Sequence, residues 1–209
     1  MEKFGIFHMI QSYGMDSNTY IVTGRENLVI DPGLQSNEYI AKELKKLKLR
    51  LDDVDFVINT HCHFDHCGGN HLFPNAEFYA HGDDKTAISN GDPYITCSHF
   101  IDQKLPKMHV EELPRKFKIN RHNLDVIHTP GHTSGSVCLY EKTHKTLVSG
   151  DTVFRDSIGR FDLPSGNKWE LIESLARLKR KSIATVLPGH GQVGDKKSIT
   201  EGLELAKIL

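Results

Sequence analysis

Residues 59 to 69 read NTHCHFDHCGG, which puts three histidines and one aspartate within six positions. Such side chains add little to a packed core. Buried without partners, each would cost several kcal/mol or lose its charge, so the cluster needs water or something to bind. Three later stretches share its character: TPGHTSGS (129 to 136), SGDTVF (149 to 154) and LPGHG (187 to 191). Each sets a His or Asp in a turn containing glycine or proline. Imidazole and carboxylate together suit zinc, iron or manganese, whereas a magnesium or calcium site is nearly all oxygen. His61, His63, Asp65, His66, His132, Asp151 and His190 exceed the four ligands of one tetrahedral zinc. They are about right for two divalent metals that share a carboxylate and a water.

The elements that must position these loops are legible in outline. Short strands are expected over 4 to 10, 19 to 23 and 27 to 31, separated by Gly14, Asp16, Ser17 and Gly24 and stopped by Asp31-Pro32-Gly33. Ile40, Leu44 and Leu47 fall at i, i+4, i+7 and predict a helix over 37 to 48. DFVIN (55 to 59) reads as a buried strand that runs straight into the first cluster, and EFYA (77 to 80) as another. Segment 81 to 122 is polar and shows no clear period. Strands then recur at 124 to 128, 136 to 140, 146 to 150 and 184 to 187. A second helix is expected over 168 to 180, with Asn167 and Glu170 at capping-box spacing and Trp169, Ile172, Leu175 and Leu178 facing inward. The end from Ser198 reads as helical. All four polar stretches therefore follow expected strands, where function commonly sits on loops held by a rigid scaffold. Strands followed by helices, twice over, suggest two similar halves packed sheet on sheet with helices outside.

Composition narrows the function classes. A chain of 209 residues without a proline- or glycine-rich linker suits one domain over 1–209. The formal net charge of -1 gives no field that would favour nucleic acid or an anionic membrane. The basic run RLKRK (177 to 181) ends an expected helix, where positive charge complements the dipole. No apolar stretch approaches the ~20 residues of a membrane span. The first residues, MEKFGIFHMIQSYG, lack the apolar run and small-residue cleavage site of a secretory signal, so a cytoplasmic location is expected. Cys62, Cys67, Cys97 and Cys138 form no CxxC pair and read as free thiols. A small molecule is the expected partner.

HxHxDH at His61, His63, Asp65 and His66, with His132, Asp151 and His190 following in order, resembles the metallo-β-lactamase superfamily. The resemblance covers essentially the whole chain and includes IDPG (30 to 33), whose Asp31 is similar to the family's strand-end aspartate, a support rather than a ligand. It implies an α/β fold, a four-layer αββα sandwich with a dinuclear site at one edge. By motif, His61, His63 and His132 would hold one metal and Asp65, His66 and His190 the other, with Asp151 bridging. Zinc is the expected metal, with iron or manganese possible. SIGRFDLPSG (157 to 166) resembles the compact glyoxalase II-like thioesterases, although the chain lacks the C-terminal helical domain that longer members use for glutathione. The expected activity is thioester hydrolysis by a hydroxide bridging two metals, with Asp65 and Asp151 as the catalytic carboxylates. A thiolate leaving group, near pKa 8.5, needs little protonation, in keeping with the absence of an obvious general acid. A lactone hydrolase of the same fold is the near alternative. Persulfide dioxygenases share HCHxDH and GR-x-D but use one iron on the equivalents of His61, His132 and Asp151, an oxygenase arrangement.

Arg160 is the candidate for binding a substrate carboxylate, against the plainer reading of an Arg160–Asp162 turn that shapes its loop. Cys62 and Cys67 read as buried thiols beside the ligands. His128 reads as a strand-end packing residue. His8, His71, His81, His99, His109, His122 and His144 have no ligand spacing.

Overall fold

Thr19–Val22, Val137–Glu141 and Thr146–Gly150 are buried at every position. Strands apolar on both sides of the pleat need a cover on each face. The computed structural model, which describes residues 1–12, 14–34 and 37–209, shows what supplies it. Seven strands form one sheet in sequence order: β1 (Glu2–Phe4), β2 (Phe7–Ile10), β3 (Thr19–Val22), β4 (Leu28–Ile30), β5 (Phe56–Ile58), β6 (Glu77–Ala80) and β7 (Glu111–Glu112). The second sheet uses β8 (Lys116–Ile119), β9 (His122–His128), β10 (Val137–Glu141), β11 (Thr146–Gly150), β12 (Thr185–Pro188) and β13 (Gly194–Asp195), in the order β13-β12-β11-β10-β9-β8.

Alternate residues of one strand serve opposite faces. Tyr20 and Val22 of β3 join Leu28, Ile30 and Ile58 against Phe117, Leu124, Leu139, Val148 and Leu187 of the other sheet. Ile21, between them, turns outward with Val29 and Val57 onto Ile40 and Leu44 of α1 (Asn37–Lys46). On the far side, Cys138, Leu147 and Val186 pack against α4 (Lys168–Lys179) and α5 (Lys196–Ile208). The result is the four-layer αββα sandwich. Each fully buried Leu, Ile or Phe contributes about 1.5–3 kcal/mol relative to an exposed one.

This topology sets where the polar loops meet. β4 and β5 run parallel, and so do β11 and β12. β9 and β11 are both antiparallel to β10 and so point the same way. The carboxyl ends of β4, β5, β9, β11 and β12 thus gather at one edge, the usual place for a site in α/β sheets. Val137 N–H donates to Thr60 O at 2.8 Å and Tyr20 Oη to Pro188 O at 2.6 Å, which ties the two sheets together there.

Three local expectations are corrected. The strand expected over 4 to 10 is two, β1 and β2, folded back at Gly5, whose φ is +58°. Segment 81 to 122 holds α3 (Gly82–Asn90), β7 and β8. Helix α4 is present, but its inward face is Leu171, Leu175 and Leu178 rather than a stripe beginning at Trp169, which is 72% exposed. Asn167 caps the helix where expected, its Oδ1 accepting the N–H groups of Trp169 and Glu170 at 2.9 and 3.3 Å, but the buried positions 171, 175 and 178 run at i, i+4, i+7, a stripe on which Trp169 does not lie. Removing that cap with Asn167→Ala should destabilise the fold by about 1 kcal/mol. A melting temperature lowered by about 2–4 °C is the expected reading, and an unchanged one would show that the cap carries no weight. Among the described residues, no helix is long and apolar enough to cross a membrane.

Candidate metal centre

β5 ends at Ile58, and the chain enters a short loop and a single helical turn, α2 (Phe64–Cys67). That loop carries His61, His63, Asp65 and His66. His132 follows β9, Asp151 follows β11 and His190 follows β12. The structure brings all seven together. His61, His63 and His132 form one group of potential ligand atoms and Asp65, His66 and His190 another, while His61, His66 and Asp151 form a third that joins them, each within 4.8 Å. The rings meet edge to face: His61 and His132 at 78°, His63 and His132 at 88°, His66 and His190 at 81°. Crossed rings allow nitrogen lone pairs to converge on one point.

The tautomers follow from the acceptors behind each ring. His132 Nδ1 donates to Arg160 O at 2.6 Å and His66 Nδ1 to Asp31 Oδ2 at 2.9 Å. Thr60 Oγ1 donates to Asp31 Oδ2 at 2.6 Å, so at 3.2 Å from His61 Nδ1 it can only accept. In the neutral form all three rings therefore turn an unprotonated Nε2 inward, the arrangement that second partners impose on metal-binding histidines. His61 Nε2 lies 3.2 Å from His132 Nε2, and His66 Nε2 lies 3.3 Å from His190 Nε2. Two lone pairs that close repel each other unless a proton or cation lies between them. Asp31, which acts as a support as the sequence suggested, takes a φ of +51° to turn back toward Thr60 and His66. Such backbone strain in a non-glycine residue clusters at functional sites.

Asp151 sits between the groups. Its Oδ1 is 3.2 Å from His66 Nε2, and its Oδ2 is 3.6 Å from both His132 and His190. Asp65 Oδ2 lies 3.2 Å from His190 Nε2. Both Asp151 Oδ1 and His63 Nε2 are buried without a hydrogen-bond partner. Unpaired buried polar atoms are rare and costly, which favours a ligand here, above all at His63 Nε2. Burial dominates the electrostatics: it drives His61 well below the usual imidazole range, with the neighbouring histidines adding to it, and takes His63 to about 3. Burial also opposes charge on His66, but Asp151 and Asp31 outweigh it and raise its pKa. Asp151 and Asp65 stay ionised despite burial because His66 and His190 face them. Two ionised carboxylates among inward lone pairs suit cations. The residues present fit a metal centre.

Other readings of the sequence fall into place. The Arg160 guanidinium is exposed and paired bidentately with Asp162 at 2.9 and 2.8 Å. Its carbonyl, which no side-chain motif reveals, orients His132. Cys62 and Cys67 are buried, and burial pushes both thiols up, so neither presents a thiolate. His128 packs flat on His81, with ring centroids 3.9 Å apart and planes 12° from parallel. With Asp83 the pair brings three potential ligand atoms within 4.8 Å of one another. Parallel rings aim their lone pairs side by side, however, and His128 Nε2 is taken by Ser134 O at 2.8 Å. Thr60 was not singled out by sequence; its position immediately before His61 was the available signal.

The metallo-beta-lactamase superfamily model matches residues 13–190. A probable metallo-hydrolase of Methanocaldococcus jannaschii is 34% identical over 202 residues, covering 91% of this chain and 95% of its own. The acyl-coenzyme A thioesterase MBLAC2 of Gallus gallus is 30% identical over 219 residues, covering 89% and 77%. The crystal structure of TTHA1623 in a di-iron-bound form superposes with a TM-score of 0.77 at 28% identity, covering 95% of this chain and 96% of that one. The chain belongs to the metallo-β-lactamase superfamily, and its candidate His/Asp metal-binding groups go with a metallo-hydrolase of that superfamily.

Proposed function

We propose that this protein is a glyoxalase II-like thioesterase that works with two divalent metal ions. His61, His63 and His132 would hold one ion and Asp65, His66 and His190 the other, with Asp151 shared. The observation that carries this reading is the placing of Asp151 between the sets: Oδ1 faces His66, and Oδ2 lies 3.6 Å from both His132 of one set and His190 of the other. A one-metal site on His61, His132 and Asp151 would leave His63, His190 and Asp65 without a task, although all converge on the same space. Zinc is the favoured ion, and the di-iron form of TTHA1623 supports iron as the alternative.

When bound, two such ions beside two carboxylates supply Lewis acidity and bring the pKa of a coordinated water toward neutrality. The chain's own groups do the rest. Asp31, Thr60 and the Arg160 carbonyl fix the ring orientations. Asp65, at the more open side of the site and 3.2 Å from His190 Nε2, is placed to take a proton at Oδ2. A thiolate near pKa 8.5 leaves without a dedicated acid, so no further titrating residue is required. The thioesterase named among the relatives supports the same substrate class. The substrate is a small molecule, and no nucleic-acid or membrane partner is proposed.

Metal analysis and oxygen dependence test the reading together. Protein purified without chelator should hold about two ions per chain, as its surplus of ligands over one tetrahedral site implies. It should cleave S-D-lactoylglutathione or a simpler acyl thioester equally fast in air and under nitrogen, since the oxygen comes from water. Saturation at one iron, rapid oxygen uptake with glutathione persulfide and no thioester cleavage would overturn the hydrolase in favour of a dioxygenase.

A further inference from the structure

His61 and His63 hang from the first sheet and His132 from the second, so the spacing of this set depends on what holds two separate loops together. Asp84 lies in the first turn of α3 and is fully buried. Its Oδ2 accepts the Cys62 N–H at 2.9 Å and the Thr133 hydroxyl at 2.7 Å, and its Oδ1 accepts the Gly135 N–H at 3.0 Å. Cys62 stands between His61 and His63, and Thr133 directly follows His132. The hold extends one step further: Thr133 N–H donates to Ser136 Oγ at 3.0 Å, and Ser136 Oγ lies 2.8 Å from Thr133 Oγ1. Gly135 is part of the same fit, because a Cβ there would lie 2.6 Å from both Asp84 N and Oδ1.

We propose that Asp84 is a positioning residue of the metal centre, clamping the His61–His63 loop to the His132 loop and so setting the affinity of that three-histidine set. The inference rests on reading those three histidines as ligands of one ion. A carboxylate is needed because every partner is a donor. Asparagine has one acceptor oxygen, so in either orientation its NH2 would face an N–H group, Cys62 or Gly135. A buried donor left opposed carries the desolvation penalty of an unmade hydrogen bond. The nearest escape is separation of the loops, which spreads the histidines without removing any.

Zinc is the probe, titrated against a chromogenic chelator and counted per chain, with circular dichroism reporting the fold. In Asp84→Asn, one zinc should bind about tenfold or more weakly, in the range found when partners behind metal ligands are lost. The second zinc should bind as in the wild type. With cobalt in place of zinc, the visible spectrum of the weakened site should change, a readout that a purely structural role would not move. Gly135→Ala, which displaces Asp84 without changing its charge, should weaken the same site, and Thr133→Val should do so to a smaller extent. If Asp84→Asn does not fold, these two variants decide. Wild-type binding of two ions with folded variants unaffected, or losing both ions in parallel, would overturn the clamp alone. A wild-type chain that takes up no zinc would instead overturn the ligand set, and the clamp with it.

Discussion

Asp151→Asn should lower turnover roughly a hundredfold, the loss of ~3 kcal/mol of transition-state stabilisation that follows removal of one well-placed polar group. The substitution keeps the side chain's shape and removes one oxygen and one charge. Whichever oxygen is lost, a histidine set loses its share: Oδ1 faces His66, while Oδ2 faces His132 and His190. The NH2 group that replaces it cannot ligate a cation. Two ions held close together would also lose part of the negative charge that offsets their repulsion, so metal retention should fall in both sets. Initial rates on a thioester, with metal counted in the same samples, check both parts. Turnover and metal content equal to wild type would move Asp151 out of the centre.

The candidate metal loops were legible because each puts polar, metal-capable side chains where a core cannot use them, directly after an apolar run. The central strands and α1 were legible from period, since Ile40 and Leu44 bury one face against Val29 and Val57. Segment 81 to 122 was not. Helix α3 buries Ala87, Ile88 and Asp84, which is too few apolar residues to show a helical period. Strand β8 alternates over four residues, with Phe117 and Ile119 inward, and so is short enough to pass as loop. Asp84 stands between Asp83 and Lys85 and reads as surface charge until folding turns it inward. Trp169 misled through spacing: it falls three residues before Ile172, yet α4 buries the stripe of Leu171, Leu175 and Leu178 and leaves Trp169 on the other side. Ligands are visible as residue types, but the groups that hold them act through backbone N–H and C=O partners, which a sequence does not display.

Gly189→Ala should abolish most activity while leaving the fold in place. The residue precedes His190, and it needs no glycine-specific backbone angle, so alanine brings no conformational penalty of that kind. The effect lies in the space its Cβ would occupy. That carbon would collide with Asp151 Oδ1 and approach His66 Cε1 to 2.7 Å. Backing away is restricted, because Gly189 N–H donates to Gly150 O at 2.8 Å and Gly189 O accepts from Asn18 N–H at 2.6 Å. The strain must fall on Asp151 and His66, which the proposed centre uses as its shared carboxylate and in its second set. Displacing groups of an assembled site by about 1 Å can cost a hundredfold in rate. One metal ion should be lost in the variant, leaving the count nearer one than two per chain, with circular dichroism unchanged. His190→Ala, which deletes a ligand of the same set, should reproduce that count. A Gly189→Ala protein that keeps full turnover and two ions would show that Asp151 and His66 need not hold the positions seen here, and their place in the proposed centre would fall with that result.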